Sequence, residues 1–356
     1  MTTHGGLTPV FCTIVPPHVL DKLAQAEDPA VSDPARRSLE HDAYQRTKRR
    51  LTTVLGAAPV ARAAGAPADQ PHRTIYDARH TQDLPGTKVR DEGSDSGSDA
   101  TVNRAYAGLG ATFDLYLKVY GRHSIDGEGL PLDATVHFGQ GYDNAFWNGD
   151  QMVFGDGDGE VFLDFTIPVD VIGHELTHGV TQHTANLEYF GQSGALNESV
   201  SDVFGSMIKQ YALGQTAAEA DWLIGADLLA PQVHGTALRS MKAPGTAYDD
   251  PNLGKDPQPA TMDDYVHTSR DNGGVHINSG IPNHAFYLVA TAIGDHSWEK
   301  AGQIWYDVLT GGELKQDALF VDFATLTVKA ARERYGAGDE LQAVRKAWEQ
   351  VGVRTL

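Results

Sequence analysis

Residues 167–183 read IPVDVIGHELTHGVTQH, and within them His174-Glu175-Leu176-Thr177-His178 decides the fold. On a helix, residues four positions apart lie one turn above each other, so His174 and His178 present two imidazoles to one point. Glu175 projects about 100° around the helix from His174, close enough to reach a metal-bound water without being a ligand. The pattern is typical of a zinc hydrolase.

A second segment, residues 195–205, supplies the rest of a metal site. It has helical spacing and carries Glu198 and Asp202 one turn apart on one face. Zinc in a hydrolytic site takes three protein ligands and leaves one position for water, so Glu198 is the natural third ligand. Asp202 is then placed to accept the free ring N–H of a ligating histidine. The alternative is an amphipathic helix with solvent-facing histidines, and these two acids argue against it.

Four motifs resemble those of the thermolysin family of zinc metalloendopeptidases. In chain order they are residues 141–159, HELTHG at 174–179, NESVSD at 197–202 and DNGGVHINSGIPNHAFYL at 271–288. The similarity extends from about Arg73 to the C-terminus. It implies an α+β, two-lobed fold in which the zinc helix forms the floor of the cleft between the lobes. The implied boundaries are 73–186 for the β-rich lobe with the zinc helix and 187–356 for the α-helical lobe.

Residues 1–72 resemble the short propeptide of the protealysin-like subgroup. They contain the motif Pro16-Pro-His-Val-Leu20, a charged helical stretch at 38–51 and an Ala/Pro/Gly-rich linker at 56–71. The resemblance implies an intramolecular inhibitor, and we expect autoprocessing between residues 57 and 73. A docked propeptide could bring the Cys12 thiolate near the zinc. The alternatives are a disordered tail and a cysteine that merely packs against the body.

The family resemblance also implies the catalytic roles. Glu175 would be the general base, Tyr189 and His276 would donate hydrogen bonds to the oxyanion, and Asp271 would hold the imidazole of His276. A lone downstream histidine is more often structural, but here it lies inside the motif DNGGVH.

Substrate binding carries over in the same way. Asn144 and Ala145 would pair with the peptide main chain, and Arg239 would hold a substrate carbonyl or form a structural salt bridge. The pocket beyond the scissile bond would be apolar, which predicts cleavage before bulky hydrophobic residues. Its lining would be Phe162, Phe165, Val171, Ile224, Leu228 and Leu238, some of which could instead be plain core residues.

One departure from the family concerns calcium. Thermolysin holds paired calcium ions beside the zinc helix with a cluster of carboxylates. The matching positions here are Asp170, Lys209, Asp221, Leu223 and Ala226. Three acids are therefore absent, and one of the replacements is a cation. We expect the double calcium site to be lost, with Lys209 neutralising the two remaining acids.

Charge and composition limit the classes of molecule that this chain can bind. The net charge of −19 argues against nucleic acid as a partner, and no apolar run is long enough for a membrane span. Residues 1–73 carry nine Lys and Arg against seven Asp and Glu, so a mildly basic leader precedes a strongly acidic body. We expect a monomer that acts on protein and peptide substrates. The single cysteine, Cys12, excludes an intrachain disulfide.

The N-terminus lacks the basic and continuous apolar regions of a secretory signal. We therefore expect a protein that is cytoplasmic at synthesis, and both residence there and secretion by a non-standard route stay open. Two other functions stay open. A zinc aminopeptidase would need a recognition group for a free amine, whereas Asn144 and its neighbours favour an extended chain. A non-catalytic zinc protein should have lost a base or a ligand, and none is lost here.

Overall fold

The computed structural model describes residues 12–54 and 69–355. Its main sheet has five strands in the order β2-β1-β3-β5-β4, with β4 at one edge. The strands are β1 (Arg73–Asp77), β2 (Thr87–Asp91), β3 (Leu132–Val136), β4 (Ala145–Trp147) and β5 (Met152–Phe154). The central strands β1, β3 and β5 run parallel, and the outer strands β2 and β4 are antiparallel to their neighbours. Parallel strands end at the same edge of a sheet, so the loops that follow them meet there.

Helices form most of the remainder. They are α1 (Pro17–Leu23), α2 (Pro29–Val54), α3 (Ala100–Tyr120), α4 (Val169–Gln182), α5 (Gly191–Leu213), α6 (Asp271–Asn278), α7 (Gly280–Ile293), α8 (Lys300–Thr310), α9 (Phe320–Tyr335) and α10 (Asp339–Gln350). Two small ribbons add β6 (Leu223–Ile224) with β7 (Arg239–Ser240), and β8 (Asp249–Asp250) with β9 (Gly254–Lys255). The predicted α+β fold with a sheet-containing part and a helical part is confirmed.

The residues at its two ends determine where helix α3 begins and ends. Its first turn is capped by Asp99, whose carboxylate accepts hydrogen bonds from the backbone N–H groups of Thr101 and Val102. It ends at Gly121, which adopts a left-handed conformation with φ of 64° that glycine tolerates without strain. Between these ends, its apolar face packs against β1, β3 and α4. This packing attaches the sheet to the helix that carries His174 and His178.

The region before the sheet packs against the rest of the protein. Its buried apolar residues belong to the main hydrophobic core, and they are Ile14, Val15, Val19, Leu20, Leu23, Val31 and Ala35. The predicted helical stretch at 38–51 lies inside the longer helix α2. Most of the predicted linker at 56–71 lies outside the described residues, which omit 55–68. Within the part of the chain that the structure describes, no helix has the length and apolarity required to cross a membrane.

Helices α4 and α5 approach each other closely because glycine lies at their contact. A β-carbon on Gly205 of α5 would lie 2.5 Å from the carbonyl oxygen of Asp170 and 3.1 Å from the backbone nitrogen of His174. Gly173 on α4 faces the same contact, where a β-carbon would be 3.2 Å from the Cα of Gly205. The absence of side chains here brings the backbones of the two helices together.

We predict that Gly205→Ala destabilises the fold. Overpacking of this kind costs about 1–3 kcal/mol, which exceeds the gain of up to about 1 kcal/mol in helix propensity from replacing glycine by alanine. Urea unfolding measures the difference, and Gly97→Ala is the control because nothing lies within 4 Å of a β-carbon there. Equal unfolding midpoints for the two variants would contradict the packing argument.

Candidate metal centre and active site

The two histidines of α4 and Glu198 of α5 converge on one point. The Nε2 atoms of His174 and His178 lie 3.0 Å apart. The carboxylate oxygens of Glu198 lie 3.6 Å from Nε2 of His174 and 3.4 Å from Nε2 of His178. Ligand atoms arranged tetrahedrally around zinc at its usual bond lengths are separated by about 3.3 Å. These donors therefore fit a zinc ion.

The other ring nitrogen of each histidine has a partner. Nδ1 of His174 lies 2.8 Å from Asp202, and Nδ1 of His178 lies 2.8 Å from the side-chain oxygen of Asn197. These contacts leave both Nε2 atoms directed at the shared point, which is the arrangement that orients metal-binding imidazoles. Burial lowers the pKa of His178 to about 4, so the ring is held neutral, as a metal ligand must be.

Asp202 binds Arg239 and Asn283 in addition to His174. Arg239 donates two hydrogen bonds of 2.9 Å each to its two carboxylate oxygens. Asn283 of α7 adds a third, of 2.8 Å. Burial alone would raise the pKa of Asp202, but Arg239 and His174 outweigh it and hold the pKa well below its ordinary value. The carboxylate therefore stays ionised beneath His174.

Glu175 lies beside the metal-ligand cluster with one oxygen bound and one unbound. Its Oε2 accepts a hydrogen bond of 3.1 Å from the backbone N–H of Trp147 in β4. Its Oε1 is buried and has no hydrogen-bond partner among the described residues. Burial, together with the charge of Glu198, raises the pKa of Glu175 well above its ordinary value. A carboxylate with a raised pKa and an unused oxygen is equipped to take up a proton.

Tyr189 and His276 border the same point from the side opposite α4. The hydroxyl of Tyr189 lies 3.2 Å from Nε2 of His276 and donates a short hydrogen bond to Glu198. Asp271 accepts from Nδ1 of His276 at 2.6 Å and from its backbone N–H at 2.9 Å. Burial would lower the pKa of His276, but Asp271 and Glu198 outweigh it and raise the pKa to about 9. The ring is therefore a cationic donor at neutral pH.

The sequence DNGG at 271–274 explains how Asp271 reaches His276. Gly273 and Gly274 have φ of 86° and 79°, and Asp271 itself has φ of 51°. Such left-handed backbone favours glycine, and it folds the start of α6 back over its own first turn. The Asp271 carboxylate is thereby brought against both the backbone and the ring of residue 276.

Residues 12–15, which precede α1, lie across the site. The backbone of Ile14 donates to the Ala145 carbonyl of edge strand β4 at 3.2 Å, and its own carbonyl accepts from Arg239 at 3.1 Å. The backbone N–H of Val15 donates to the side chain of Asn144 at 2.9 Å. The three residues expected to bind a substrate main chain are therefore all engaged by this segment.

Cys12 reaches the metal-ligand cluster itself. Its Sγ lies 2.8 Å from Oε1 of Glu198, 3.6 Å from Nε2 of His276 and 2.8 Å from the hydroxyl oxygen of Tyr189. Among the described residues, a group that could hold a metal ion is Cys12, His174, His178 and Glu198. Burial and the charge of Glu198 raise the pKa of the thiol well above its ordinary value in the metal-free protein.

Helix α2 binds the loop that carries Asn144. The carboxylate of Asp42 accepts hydrogen bonds from the Tyr142 hydroxyl at 2.7 Å and from the Asn144 side chain at 3.1 Å. The hydroxyl of Ser38 accepts from the backbone N–H of Asp143 at 2.9 Å. The loop that carries Asn144 is therefore covered by one face of α2.

The six apolar residues expected to line a specificity pocket are all buried in the main core, together with Ile14 and Val15. They are Phe162, Phe165, Val171, Ile224, Leu228 and Leu238. Arg239 is buried as well, at 1% exposure, and binds both Asp202 and the Ile14 carbonyl. Arg239 therefore forms a buried salt bridge with Asp202 and also binds a backbone carbonyl.

The positions that match the calcium ligands of thermolysin hold an ion pair cluster. Nζ of Lys209 lies 3.2 Å from Asp170 and 2.7 Å from Asp221. Asp170 is fully buried, whereas Asp221 is partly exposed. Burial would lower the pKa of Lys209, but the two carboxylates outweigh it and raise the pKa.

Sequence reasoning missed several groups at the site. Asn197 directly precedes Glu198 in the sequence, so its closeness to the metal ligands could have been predicted. The backbone N–H of Trp147 and the side chain of Asn283 carried no such signal, because their places depend on how β4 and α7 pack against α4 and α5.

Comparison with known proteins identifies the family. A model of the thermolysin metallopeptidase catalytic domain matches residues 66–182, and one of the thermolysin metallopeptidase alpha-helical domain matches residues 185–353. An extracellular metalloprotease of Pectobacterium carotovorum subsp. carotovorum is 60% identical over 287 residues, covering 81% of this chain and 82% of the relative. Protease PrtS of Photorhabdus sp. (strain Az29) is 54% identical over 289 residues, covering 81% of this chain and 78% of the relative.

The prediction of a cytoplasmic protein is wrong. The Pectobacterium relative, at 60% identity, is named an extracellular metalloprotease. The prediction used only the missing basic and apolar pattern of one kind of export signal. That pattern concerns a single export route, so it could not decide where the folded enzyme works.

A solved structure extends the similarity to residues before the sheet. The precursor of protealysin, a metalloproteinase from Serratia proteamaculans, matches with a TM-score of 0.87 at 51% sequence identity. The match covers 96% of this chain and 99% of that precursor. With both family domains matched, and with two histidines and a glutamate gathered as a metal site between them, the chain belongs to the thermolysin family of zinc metallopeptidases.

Proposed function

We propose that this chain is the precursor of a neutral zinc endopeptidase that uses Glu175 as its general base. The observation that carries the proposal is the convergence of His174, His178 and Glu198 beside the unbound oxygen of Glu175. His174, His178 and Glu198 would hold the zinc, with Asp202 and Asn197 orienting the two rings. Zinc bound there supplies a lowered pKa for a water molecule and polarises a peptide carbonyl.

Glu175 moves the proton. Its unbound Oε1 takes a proton from the attacking water and then delivers it to the nitrogen of the leaving amine. The hydrogen bond from the Trp147 backbone to Oε2 keeps the carboxylate turned toward the cluster. The raised pKa favours the protonated form that the second transfer needs.

Tyr189 and His276 stabilise the developing oxyanion. Both are donors that lie within 3.2 Å of each other at the edge of the cluster. Asp271 keeps His276 charged and correctly turned, so it is a positioning residue for the ring. Donors preorganised in a buried site lower the transition-state energy because they need no reorientation during the reaction.

Residues 12–15 indicate how a substrate would be bound. Their backbone uses Ala145, Asn144 and Arg239, the groups that would pair with a peptide main chain. An extended substrate would add to edge strand β4 in the same way, which is a common mode of peptide recognition. The six buried apolar residues from Phe162 to Leu238 would then accept a bulky hydrophobic side chain after the scissile bond.

In the precursor, the same segment acts as the inhibitor. It fills the groups that a substrate needs, and the Cys12 thiol stands where it can be the fourth zinc donor in place of water. Cleavage of the linker would release it. We expect the mature enzyme to be a monomer that acts outside the cell on proteins and peptides, as the name of the Pectobacterium relative suggests for that protein.

We also propose that Lys209 substitutes for calcium. Its ammonium lies between Asp170 and Asp221 and can neutralise them without an ion. The absence of acids at Leu223 and Ala226 supports this reading, because further carboxylates beside one lysine would leave excess negative charge.

We predict that Glu175→Ala keeps the fold and the zinc but loses almost all turnover. Tyr189→Phe and His276→Ala should each lower kcat by about 10²–10³, the usual effect of removing an oxyanion donor. Casein zymography and hydrolysis of a blocked internal peptide measure the activity, and elemental analysis measures the zinc. A blocked peptide also excludes an aminopeptidase. Wild-type activity in Glu175→Ala would overturn the assigned mechanism.

We predict that activity appears only as the chain is cut between residues 57 and 73. N-terminal sequencing and peptidase assays over one time course test this, with the Glu175→Ala chain as the uncut reference. Asp42→Ala should shorten the lag, because it removes two of the hydrogen bonds between α2 and the Asn144 loop. Glu40→Ala is the matched control, since Glu40 is exposed on the same helix. Full activity in the uncut chain would refute inhibition.

We predict that Lys209→Ala destabilises the protein by about 3 kcal/mol, because it leaves the buried Asp170 without its cationic partner. Calcium should raise the wild-type melting temperature little. The measurement is thermal unfolding with and without calcium, and Lys300→Ala is the control because Lys300 makes only an exposed pair with Glu340. A large rise with calcium that disappears in Asp221→Ala would show that the ion site survives.

A further inference from the structure

Residues 12–15 make their backbone contacts with the direction and spacing that a substrate would need. The carbonyl of Thr13 lies 3.2 Å from Nε2 of His276, one of the two oxyanion donors of the proposed mechanism. The backbone N–H of the next residue, Ile14, donates to the Ala145 carbonyl at 3.2 Å. In a bound substrate, the carbonyl beside the oxyanion donors is the one that is attacked. The bond at the reacting position is therefore the peptide bond between Thr13 and Ile14.

The following peptide bond, between Ile14 and Val15, does not fit the reacting position. The carbonyl of Ile14 accepts from Arg239 at 3.1 Å, and Arg239 also binds both oxygens of Asp202. This carbonyl therefore faces a cation of the buried charge pairing and not the oxyanion donors. The backbone N–H of Val15 donates to the side chain of Asn144 at 2.9 Å. A shift of the segment by one residue would exchange all of these contacts.

The side chain of Ile14 also meets the requirement of the proposed active site. The proposed function expects a bulky hydrophobic residue directly after the scissile bond. Ile14 is such a residue, is fully buried and belongs to the same apolar cluster as the six pocket residues from Phe162 to Leu238. The segment thus presents a peptide bond with the backbone contacts and the side chain of a substrate.

The Cys12 thiol lies where the attacking water of the proposed mechanism would be bound. Its Sγ is 2.8 Å from Oε1 of Glu198 and within 4.8 Å of ligand atoms of His174 and His178. Three protein ligands leave a hydrolytic zinc ion one further position, which water must occupy for hydrolysis. A thiolate is a soft donor that zinc accepts readily, so it competes with water for that position.

We propose that the bond between Thr13 and Ile14 is a latent self-cleavage site, and that the Cys12 thiol protects it by excluding the attacking water. The proposal rests on the proposed function, because it uses the same zinc site and oxyanion donors. In hydrolysis, the water oxygen would add to the Thr13 carbonyl carbon, and Glu175 would pass the water's proton to the Ile14 nitrogen as the C–N bond breaks. The products would be a chain that ends in the Thr13 carboxylate and a chain that begins with the Ile14 amine.

The alternative is a cysteine that only fills space beside the metal ligands. The segment would then resist hydrolysis for a reason unconnected with the thiol, and removing the thiol would leave the bond intact. The two cases differ in one measurable property, which is the N-terminal residue of the chain after the thiol is removed.

The test compares the full-length wild-type, Cys12→Ala and Cys12→Ser chains, each loaded with one zinc equivalent. Intact mass and N-terminal sequencing are followed over one time course. We expect both variants to lose residues 1–13 and to begin at Ile14, whereas the wild-type chain should stay uncut at this bond until its linker is cut. Serine keeps the approximate size and polarity of residue 12, so the second variant guards against misfolding of the first. The Glu175→Ala form of each variant should keep the circular dichroism spectrum of the Glu175→Ala chain.

A mixed sample distinguishes cleavage within one molecule from cleavage between molecules. An isotope-labelled chain that carries both Cys12→Ala and Glu175→Ala is mixed with the unlabelled Cys12→Ala chain. Thr13 and Ile14 are buried, so another molecule cannot reach the docked bond. Only the unlabelled chain should therefore be cut at this bond before the linker is cut.

The contact between thiol and metal is tested without turnover in the Glu175→Ala chain loaded with cobalt in place of zinc. We expect a near-ultraviolet absorption band from thiolate-to-cobalt charge transfer. The same chain with Cys12→Ala should lack the band. Identical spectra from the two chains would contradict protection by the thiol.

The cleavage results separate this proposal from the proposed function. The proposal is overturned if neither variant is cut between Thr13 and Ile14, if the cut falls at a neighbouring bond, or if the wild-type chain is cut there as fast as the variants. Variants that are cut in the linker and hydrolyse casein, but never begin at Ile14, would retain the proposed function and remove this proposal alone. The absence of any hydrolysis by any of the chains would remove both.

Discussion

The close contact between α4 and α5 places ionisable side chains in the interior, and the site depends on how those charges are paired. Glycines at the contact let the helix backbones approach, so His174, His178 and Glu198 share one point. A buried charge is tolerated only with partners that replace its lost hydration. Glu198 illustrates the balance: burial would raise its pKa, but the imidazoles of His276, His178 and His174 hold it at about 2.

The charged residues around the metal ligands also need partners that replace their lost hydration. Asp202 stays ionised beside His174 because it accepts three hydrogen bonds. Arg239 donates one to each of its oxygens, and Asn283 donates the third. On the far side of α4, Asp170 is paired with Lys209. Asp202 and Asp170 thus each have a cationic partner, whereas Glu175 keeps one oxygen unbound. This pairing joins α4 and α5 to the loop bearing Arg239 and to α7.

In the proposed precursor, the N-terminal segment uses the exposed edge of the main sheet. Edge strand β4 has a free side, and Ile14 occupies it with a main-chain hydrogen bond to Ala145. In the proposed precursor, α2 would add specificity for this chain over other peptides, because its Asp42 and Ser38 bind the loop carrying Asn144. Inhibition and substrate binding would therefore use one set of backbone contacts, and they would differ in the side chains that reinforce them.

The sequence by itself determined the elements whose geometry is local. The spacing of His174 and His178 and the turn between Glu198 and Asp202 follow from the period of a helix. The bounds of the helices were less well determined, since the helical stretch predicted at 38–51 is only part of α2. The tertiary structure alone decided which distant groups meet. Cys12 lies 2.8 Å from a residue 186 positions later, and the carboxylate of Glu175 meets the backbone N–H of Trp147 only because β4 packs against α4. Such contacts depend on strand order and helix packing, which the local periodicity of a single sequence does not encode.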